Sequence, residues 1–229
     1  MKPIVVLGKG PSAIEVKKSD KYDIATVNNT IWLSPEPTFA FFNDVELFAL
    51  MKDSDFEKVK TIICPSYLHS HWARLEGVCE NDETHFYELA NIFPGRFDNI
   101  DFLPYELHPG DNSRPEEVKR INEGGQPAPK LDRWPHTTGG TAAGWLSKYA
   151  GYRDFILSGF DVQGGYHPMF IGAGHKDGVK GFNGQGTAEQ PAHQYQENYD
   201  IIVNFIESYG GRARHINDVS QEDRKELGI

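Results

Sequence analysis

Five short apolar runs, each closed by a glycine, an asparagine, an aspartate or a proline, constrain this chain more than any other feature. They are PIVVLG (3–8), DIATVN (23–28), TFAFFN (38–43), TIIC (61–64, closed by Pro65) and DFILSGFD (154–161). Continuous apolar runs of this length fit strands buried on both faces, as in parallel sheets. Helical patterns alternate with them. A proline suits the first helical position, so a short helix is expected from Pro11. Asp44 caps an expected helix at 45–51 whose Val45, Leu47, Phe48 and Met51 share a face. TTGGTAAGWLSKYAG (137–151) reads as a helix opened by Thr137 or Thr138 and stopped by Gly151. Another is expected over 190–209, with Ile201, Ile202, Phe205 and Ile206 on one side. RARHI (212–216) is a last strand, and Ser220 with Asp223 resembles a capping box opening a final helix. The alternation predicts an α/β fold, a mostly parallel sheet with helices on both faces.

The segment 66–135 carries the weakest pattern. FDNIDFLP (97–104) predicts a strand and RPEEVKRIN (114–122) a short helix, while 106–135 reads as an insertion rich in Pro, Gly, Asn and charge. With 229 residues and roughly 100–200 residues per domain, one domain over 1–229 is expected. It would carry that insertion and a glycine-rich lid at about 163–190. No apolar run approaches the roughly 20 residues of a membrane span, and the N-terminus lacks a signal-peptide layout. Cys64 and Cys79 show no CxxC or ligand spacing and read as reduced thiols. The expectation is a soluble cytoplasmic protein without a membrane partner. A formal charge of −10 also argues against nucleic acid, a local basic groove being the exception.

Ligands of open parallel sheets bind at the carboxyl ends of the strands. Gly8-Lys9-Gly10-Pro11-Ser12 follows the first strand, and with Ala13 it satisfies G-x-G-x-x-A. Glycines let a backbone turn approach an anion, and a helix start adds free N–H groups. The dinucleotide fingerprint also wants an acid closing the second strand, where Asn28-Asn29 stand instead. The segment is thus either an anion-binding turn or a plain strand-to-helix turn. Asn28 and Asn43 close two adjacent strands with neutral amides suited to a base edge or ribose; singly, each reads as a turn residue. Thr137, Thr138 and Gly139 open a helix with hydroxyls and small side chains. They would hold a phosphate or ribose, or simply let the helix approach the sheet.

Among nine histidines, His193 precedes a helix at a loop end, where a general base belongs. His167 and His175 lie in the glycine-rich stretch. Metal binding by His167, His175 and His193 lacks ligand spacing. His69 and His71 read as surface residues, and Asp53-Ser54-Asp55 as a solvated turn.

The order GxGPS, Asn closing the second strand, Asn closing the third, T-[ST]-G opening a helix, then GYRDFILSGFD (151–161) resembles the small bacterial sialyltransferases of the Cst type. More widely, it is similar to a Rossmann-like group of GPS-motif proteins that includes the archaeal hydroxymethylpterin diphosphokinases. The resemblance covers about residues 3–44 and 136–216. It implies a Rossmann-like domain with a lid, and inverting, metal-independent transfer of a sugar from a nucleotide-sugar donor to a hydroxyl acceptor. No cofactor beyond that co-substrate is implied. By position, Gly8, Gly10, Pro11 and Ser12 would lie against the nucleotide phosphate and Asn28 and Asn43 against ribose and base. Thr137, Thr138, Gly139 and Asp161 would complete the donor site, with His193 as base. Where the family carries a tyrosine pair that steadies the departing phosphate, this chain has Gln163 and, approximately, Tyr166. The family arginine falls at Pro135, with Arg133 nearest. These departures leave the sugar open, and the absence of a basic tail favours a soluble acceptor or a cytoplasmic polymer such as modified phage DNA. Homo-oligomers are compatible with this reading. The alternatives are a pterin diphosphokinase-like, ATP-dependent transferase and a non-catalytic nucleotide-binding module.

Overall fold

In a computed structural model, residues 1–42, 52–64, 67–69, 86–88, 100–102, 137–163, 167, 169 and 192–229 are described. A seven-stranded sheet organises them, in the order β7-β4-β3-β2-β1-β8-β9. The strands are β1 (Ile4–Leu7), β2 (Asp23–Val27), β3 (Phe39–Phe41), β4 (Thr61–Cys64), β7 (Ile100–Phe102), β8 (Asp154–Ser158) and β9 (Arg212–His215). Every neighbouring pair in it is parallel. A separate antiparallel pair joins β5 (Tyr67–His69) to β6 (Phe86–Glu88), which the sequence pattern does not announce. The strand expected in 97–104 is β7. The expected helices at 45–51 and 114–122, the insertion 106–135 and Cys79 lie outside the described residues, as do Asn43 and Asp44.

Side chains alternate between two cores, as the period of two requires. Ile4, Val6, Ala25, Val27, Phe155 and Leu157 face one side. There they meet α2 (Thr138–Lys148) and α3 (Ala192–Ser208) through Ala142, Ala143, Leu146, Ile202 and Ile206. On α3 the apolar face is therefore Ile202 and Ile206, while Ile201 is exposed, a correction to the expected stripe. Val5, Leu7, Ile24 and Ile156 face the other side, against Ala13, Val16, Tyr22, Leu33, Ile216 and Val219. The C-terminal helix α4 (Gln221–Leu227) closes that face with Leu227. Ser220 caps it, its Oγ accepting from Asp223 N–H at 3.0 Å as the sequence predicts.

The division follows from handedness. Successive strands run outward from β1 through β2 and β3 on one side, and from β8 to β9 on the other. Right-handed crossovers in opposite directions must cover opposite faces. The two sets of connections therefore part between β1 and β8, and all strands point their carboxyl ends at one rim.

The helix expected from Pro11 does not form. Residues 11–12 turn, and 13–19 run without regular structure. Ala13 N–H closes a turn on Gly10 O, and the amides of Ile14 and Val16 bond outward, to Ser158 Oγ and Leu33 O, instead of to the fourth preceding carbonyl. Only Ala13, Ile14 and Val16 of this stretch pack on the sheet, too few for a helical stripe before the charged run Lys17–Lys21. By contrast α2 forms as expected. Thr137 Oγ1 accepts from Gly140 N–H at 3.1 Å, and Gly151 ends the helical turn region at φ 78°.

At the opposite edge, Asp23 pins the starts of several strands. Tyr152 Oη donates to Asp23 Oδ2 at 2.6 Å, while Lys2 Nζ lies 3.0 Å from Oδ1. Burial, then the Asp23 carboxylate, pushes the Tyr152 hydroxyl well above its ordinary value. Tyr152→Phe should cost about 1–2 kcal/mol at neutral pH, read as a lower urea midpoint at unchanged slope. The folded state holds this proton when the unfolded state, with a pKa of about 10, has lost it. Wild-type stability should therefore fall as pH rises past about 10, and the variant's should fall less steeply.

Candidate functional site

The rim at the carboxyl ends of the strands gathers Gly8–Ser12 after β1, Asn28-Asn29 after β2, Gly159–Asp161 after β8 and His215 ending β9. The two crossover helices α2 and α3 run back against strands, so their N-termini, with Thr138 and His193, belong to the same rim.

Between β1 and β8 the turns touch backbone to backbone. Gly8 N–H donates to Ser158 O at 2.7 Å and Gly10 N–H to Gly159 O at 2.8 Å. A Cβ on Gly8 would sit 2.4 Å from Gly159 O, and one on Gly10 2.2 Å from Asp161 Oδ2. Ser12 completes the contact, its N–H and hydroxyl both donating to Asp161 Oδ2 at 2.9 Å. Gly159 N–H in turn donates to Ser12 Oγ at 3.0 Å. The glycines thus serve close approach of two turns. The amides of Gly8, Gly10 and Ser12, expected to face a phosphate, are already engaged, and no helix dipole stands behind them. Pro11 is exposed and has no N–H to offer. These three amides are thus held by acceptors of the chain itself.

His215, which sequence reasoning passed over, joins this cluster. Its Nε2 lies 3.2 Å from Ser12 Oγ and 3.7 Å from Asp161 Oδ1. Its Nδ1 accepts from Asn217 N–H at 3.2 Å, so the ring proton sits on Nε2. The signal was available: His215 stands next to the end of the predicted strand 212–216, where ligand-facing residues of a parallel sheet collect. Tyr199 of α3 meets the imidazole edge-on at a centroid distance of 6.2 Å. Burial raises the Tyr199 hydroxyl above its ordinary value, helped by Asp218 and Asp200. The arrangement is not a nucleophilic triad, because the carboxylate bonds the serine directly and the imidazole Nε2 presents a proton, not a lone pair.

The second part of the rim joins β2 to α2. Asn28 adopts φ 55°, uncommon for any residue but glycine and best tolerated by asparagine. Thr30 sets this bend: its Oγ1 accepts from Val27 N–H at 2.8 Å and donates to Leu7 O at 2.8 Å. Asn28 Nδ2 then reaches Thr138 Oγ1 at 3.1 Å. Asn28 is 8 % exposed and Asn29 6 %. Asn29 Oδ1 has no hydrogen-bond partner among the described residues. Thr138 and Gly139, in the first turn of α2, have no intrahelical acceptor for their N–H groups, as at any helix start. Phe160 closes over this turn, its ring 2.5 Å from where a Gly139 Cβ would stand.

Of the remaining expected site residues, Gln163 is exposed, and Tyr166 lies outside the described residues with His71, His175, Arg133 and Pro135. His193 is the second residue of α3; only its backbone is described. His167 marks the root of the expected lid, its N–H donating to Lys9 O at 2.7 Å, and its Nδ1 accepting from Met169 N–H. The Asp53–Asp55 pair opens a four-residue helix, α1 (Asp53–Phe56), where Asp55 Oδ2 accepts from Lys52 N–H. Among the described residues, no three His, Cys, Asp or Glu side chains group as metal ligands, and no helix is long and apolar enough to cross a membrane. No family model, curated protein or solved structure matches the chain.

Proposed function

We propose that the protein is a Rossmann-like glycosyltransferase that moves a sugar from a nucleotide-sugar donor to a hydroxyl acceptor. The observation that carries this reading is the Asn28–Thr138 hydrogen bond at the rim of the sheet. It ties a neutral amide at the end of β2 to the first turn of α2, whose N–H groups and positive dipole end suit a leaving phosphate. That assigns the phosphate to Thr137, Thr138 and Gly139 and leaves Asn28 and Asn29 for ribose or base. The order of motifs shared with the Cst-type sialyltransferases supports the same assignment.

In this mechanism the acceptor oxygen attacks the anomeric carbon from the face opposite the nucleotide, and the configuration inverts. The bond to the leaving phosphate oxygen breaks as the new glycosidic bond forms. His193 takes the acceptor proton, and the first turn of α2 meets the charge growing on the phosphate. The glycine-rich segment after Gln163 would cover the donor against water, which competes as acceptor.

Titration calorimetry with CMP, UDP, GDP and ADP tests the reading. One of the four is expected to bind and to lose roughly ten-fold or more when Thr138→Val removes the hydroxyl that Asn28 holds, with the melting temperature little changed. Absence of binding by all four would overturn the donor site. A requirement for magnesium and ATP in turnover would move the reading to the diphosphokinase-like alternative.

A further inference from the structure

The Ser12–Asp161–His215 cluster sits where the connections from β1 and β8 part company, the position at which open parallel sheets take their ligands. Every polar side-chain atom in it but one has a described partner. Ser12 Oγ donates to Asp161 Oδ2, accepts from Gly159 N–H and stands 3.2 Å from the protonated His215 Nε2. Asp161 Oδ2 takes both Ser12 donors. Asp161 Oδ1 has no hydrogen bond among the described residues; His215 Nε2 lies 3.7 Å from it. The Asp161 side chain is 16 % exposed.

The carboxylate is therefore held by one oxygen and open at the other. Two hydrogen bonds through Oδ2 fix its plane, and Gly10 exists as glycine because a Cβ would strike that same oxygen. A side chain immobilised in this way is pre-organised for a partner of defined geometry. An anionic acceptor repels phosphate and accepts from a hydroxyl. We propose that Asp161 Oδ1 accepts a hydrogen bond from a hydroxyl of the bound substrate, so that the crevice between β1 and β8 reads a sugar ring, ribose or hexose, and not a phosphate. This rests on the reading of the rim as a sugar-nucleotide site. It assigns opposite chemistries to the two parts of the rim, with phosphate at α2 and hydroxyl at β8.

Calorimetric titrations separate the sources of that hydroxyl. The probes are AMP, CMP, GMP and UMP, their 2′,3′-dideoxy counterparts, and glucose, galactose and N-acetylglucosamine at millimolar concentration. Each is titrated into the wild-type chain and into Asp161→Asn, in which an amide N–H₂ can replace the open acceptor while Ser12 keeps an oxygen to bond. If the hydroxyl is ribose, the wild-type chain should bind a ribonucleotide roughly ten- to a hundred-fold more tightly than its dideoxy form, the range for a hydrogen bond to a charged group. Asp161→Asn should bind the two forms alike. If it is hexose, a monosaccharide should bind the wild-type chain and lose that binding in Asp161→Asn. Nucleotide binding without either discrimination overturns the inference and leaves the transferase reading standing. Saccharide binding that depends on Asp161, with no nucleotide bound, keeps the inference and removes the transferase reading. Absence of any Asp161-dependent binding overturns the inference. Wild-type binding that distinguishes neither ribose from dideoxyribose nor glucose from 3-deoxy- and 4-deoxyglucose overturns the inference without a variant, and Ser12→Ala, which removes one of the two donors holding Asp161, should weaken the same discrimination if Asp161→Asn fails to fold.

Discussion

Gly159→Ala is expected to destabilise the fold by about 3–5 kcal/mol, a large part of the roughly 5–15 kcal/mol that holds a domain together. Two independent costs add. Gly159 sits at φ 77°, where any Cβ is strained, and that Cβ would stand 2.2 Å from Gly8 O and 2.5 Å from Gly8 C. Neither atom is the end of a flexible side chain, so relief requires the β1 and β8 turns to separate. Separation breaks the Gly8–Ser158 and Gly10–Gly159 hydrogen bonds together with both Ser12 bonds to Asp161. Gly210→Ala is the control, with a similar φ of 72° and nothing within 4 Å of the added Cβ. It should cost only the conformational part, about 1 kcal/mol. Chemical denaturation of the two variants against the wild-type chain gives the difference. A Gly159→Ala midpoint equal to that of Gly210→Ala would mean the turns are not packed as described.

The same contact explains what the sequence made legible and what it hid. Strand positions were readable because an apolar run buried on two faces has little choice, and β1, β2, β4 and β8 fall where TIIC and its counterparts stand. The cap of α2 was readable because Thr137 and Gly151 act locally. The fate of GKGPS was not. A glycine turn that approaches a phosphate and one that approaches another turn have the same local sequence, and Asp161 lies 149 residues beyond Ser12. The missing helix after Pro11 follows from the same long-range competition, since Ser158 and Leu33 supply acceptors that a local reading cannot count. His215 escaped because its neighbours in RARHI are charged and look like surface. Two of those neighbours, Arg212 and Arg214, are tied to Asp154 of β8 instead.

Three histidines stand on or beside the rim, and their hydrogen bonds rank them as bases. A general base must offer a lone pair to the acceptor proton. His167 Nδ1 accepts from Met169 N–H, and His215 Nδ1 from Asn217 N–H. In the neutral ring each then carries its proton on Nε2 and has no lone pair left to give. The candidate that remains is His193. It opens α3, the crossover helix between β8 and β9, whose N-terminus the topology brings to the carboxyl ends of the strands. His193→Ala should therefore lower turnover by roughly 10²–10⁴, while nucleotide affinity stays within about two-fold because the proposed nucleotide contacts lie away from α3. Donor hydrolysis, followed as release of the nucleotide with water as acceptor, measures this before the natural acceptor is identified. In the wild-type chain, the rate should fall at acid pH, where a histidine base is protonated, and the variant should lose that limb. His215→Gln should behave in the opposite sense, keeping the acid limb and weakening binding through Ser12 and Asp161. Loss of the limb in His215→Gln, or its survival in His193→Ala, would reverse the assignment and make the imidazole at the end of β9 the base.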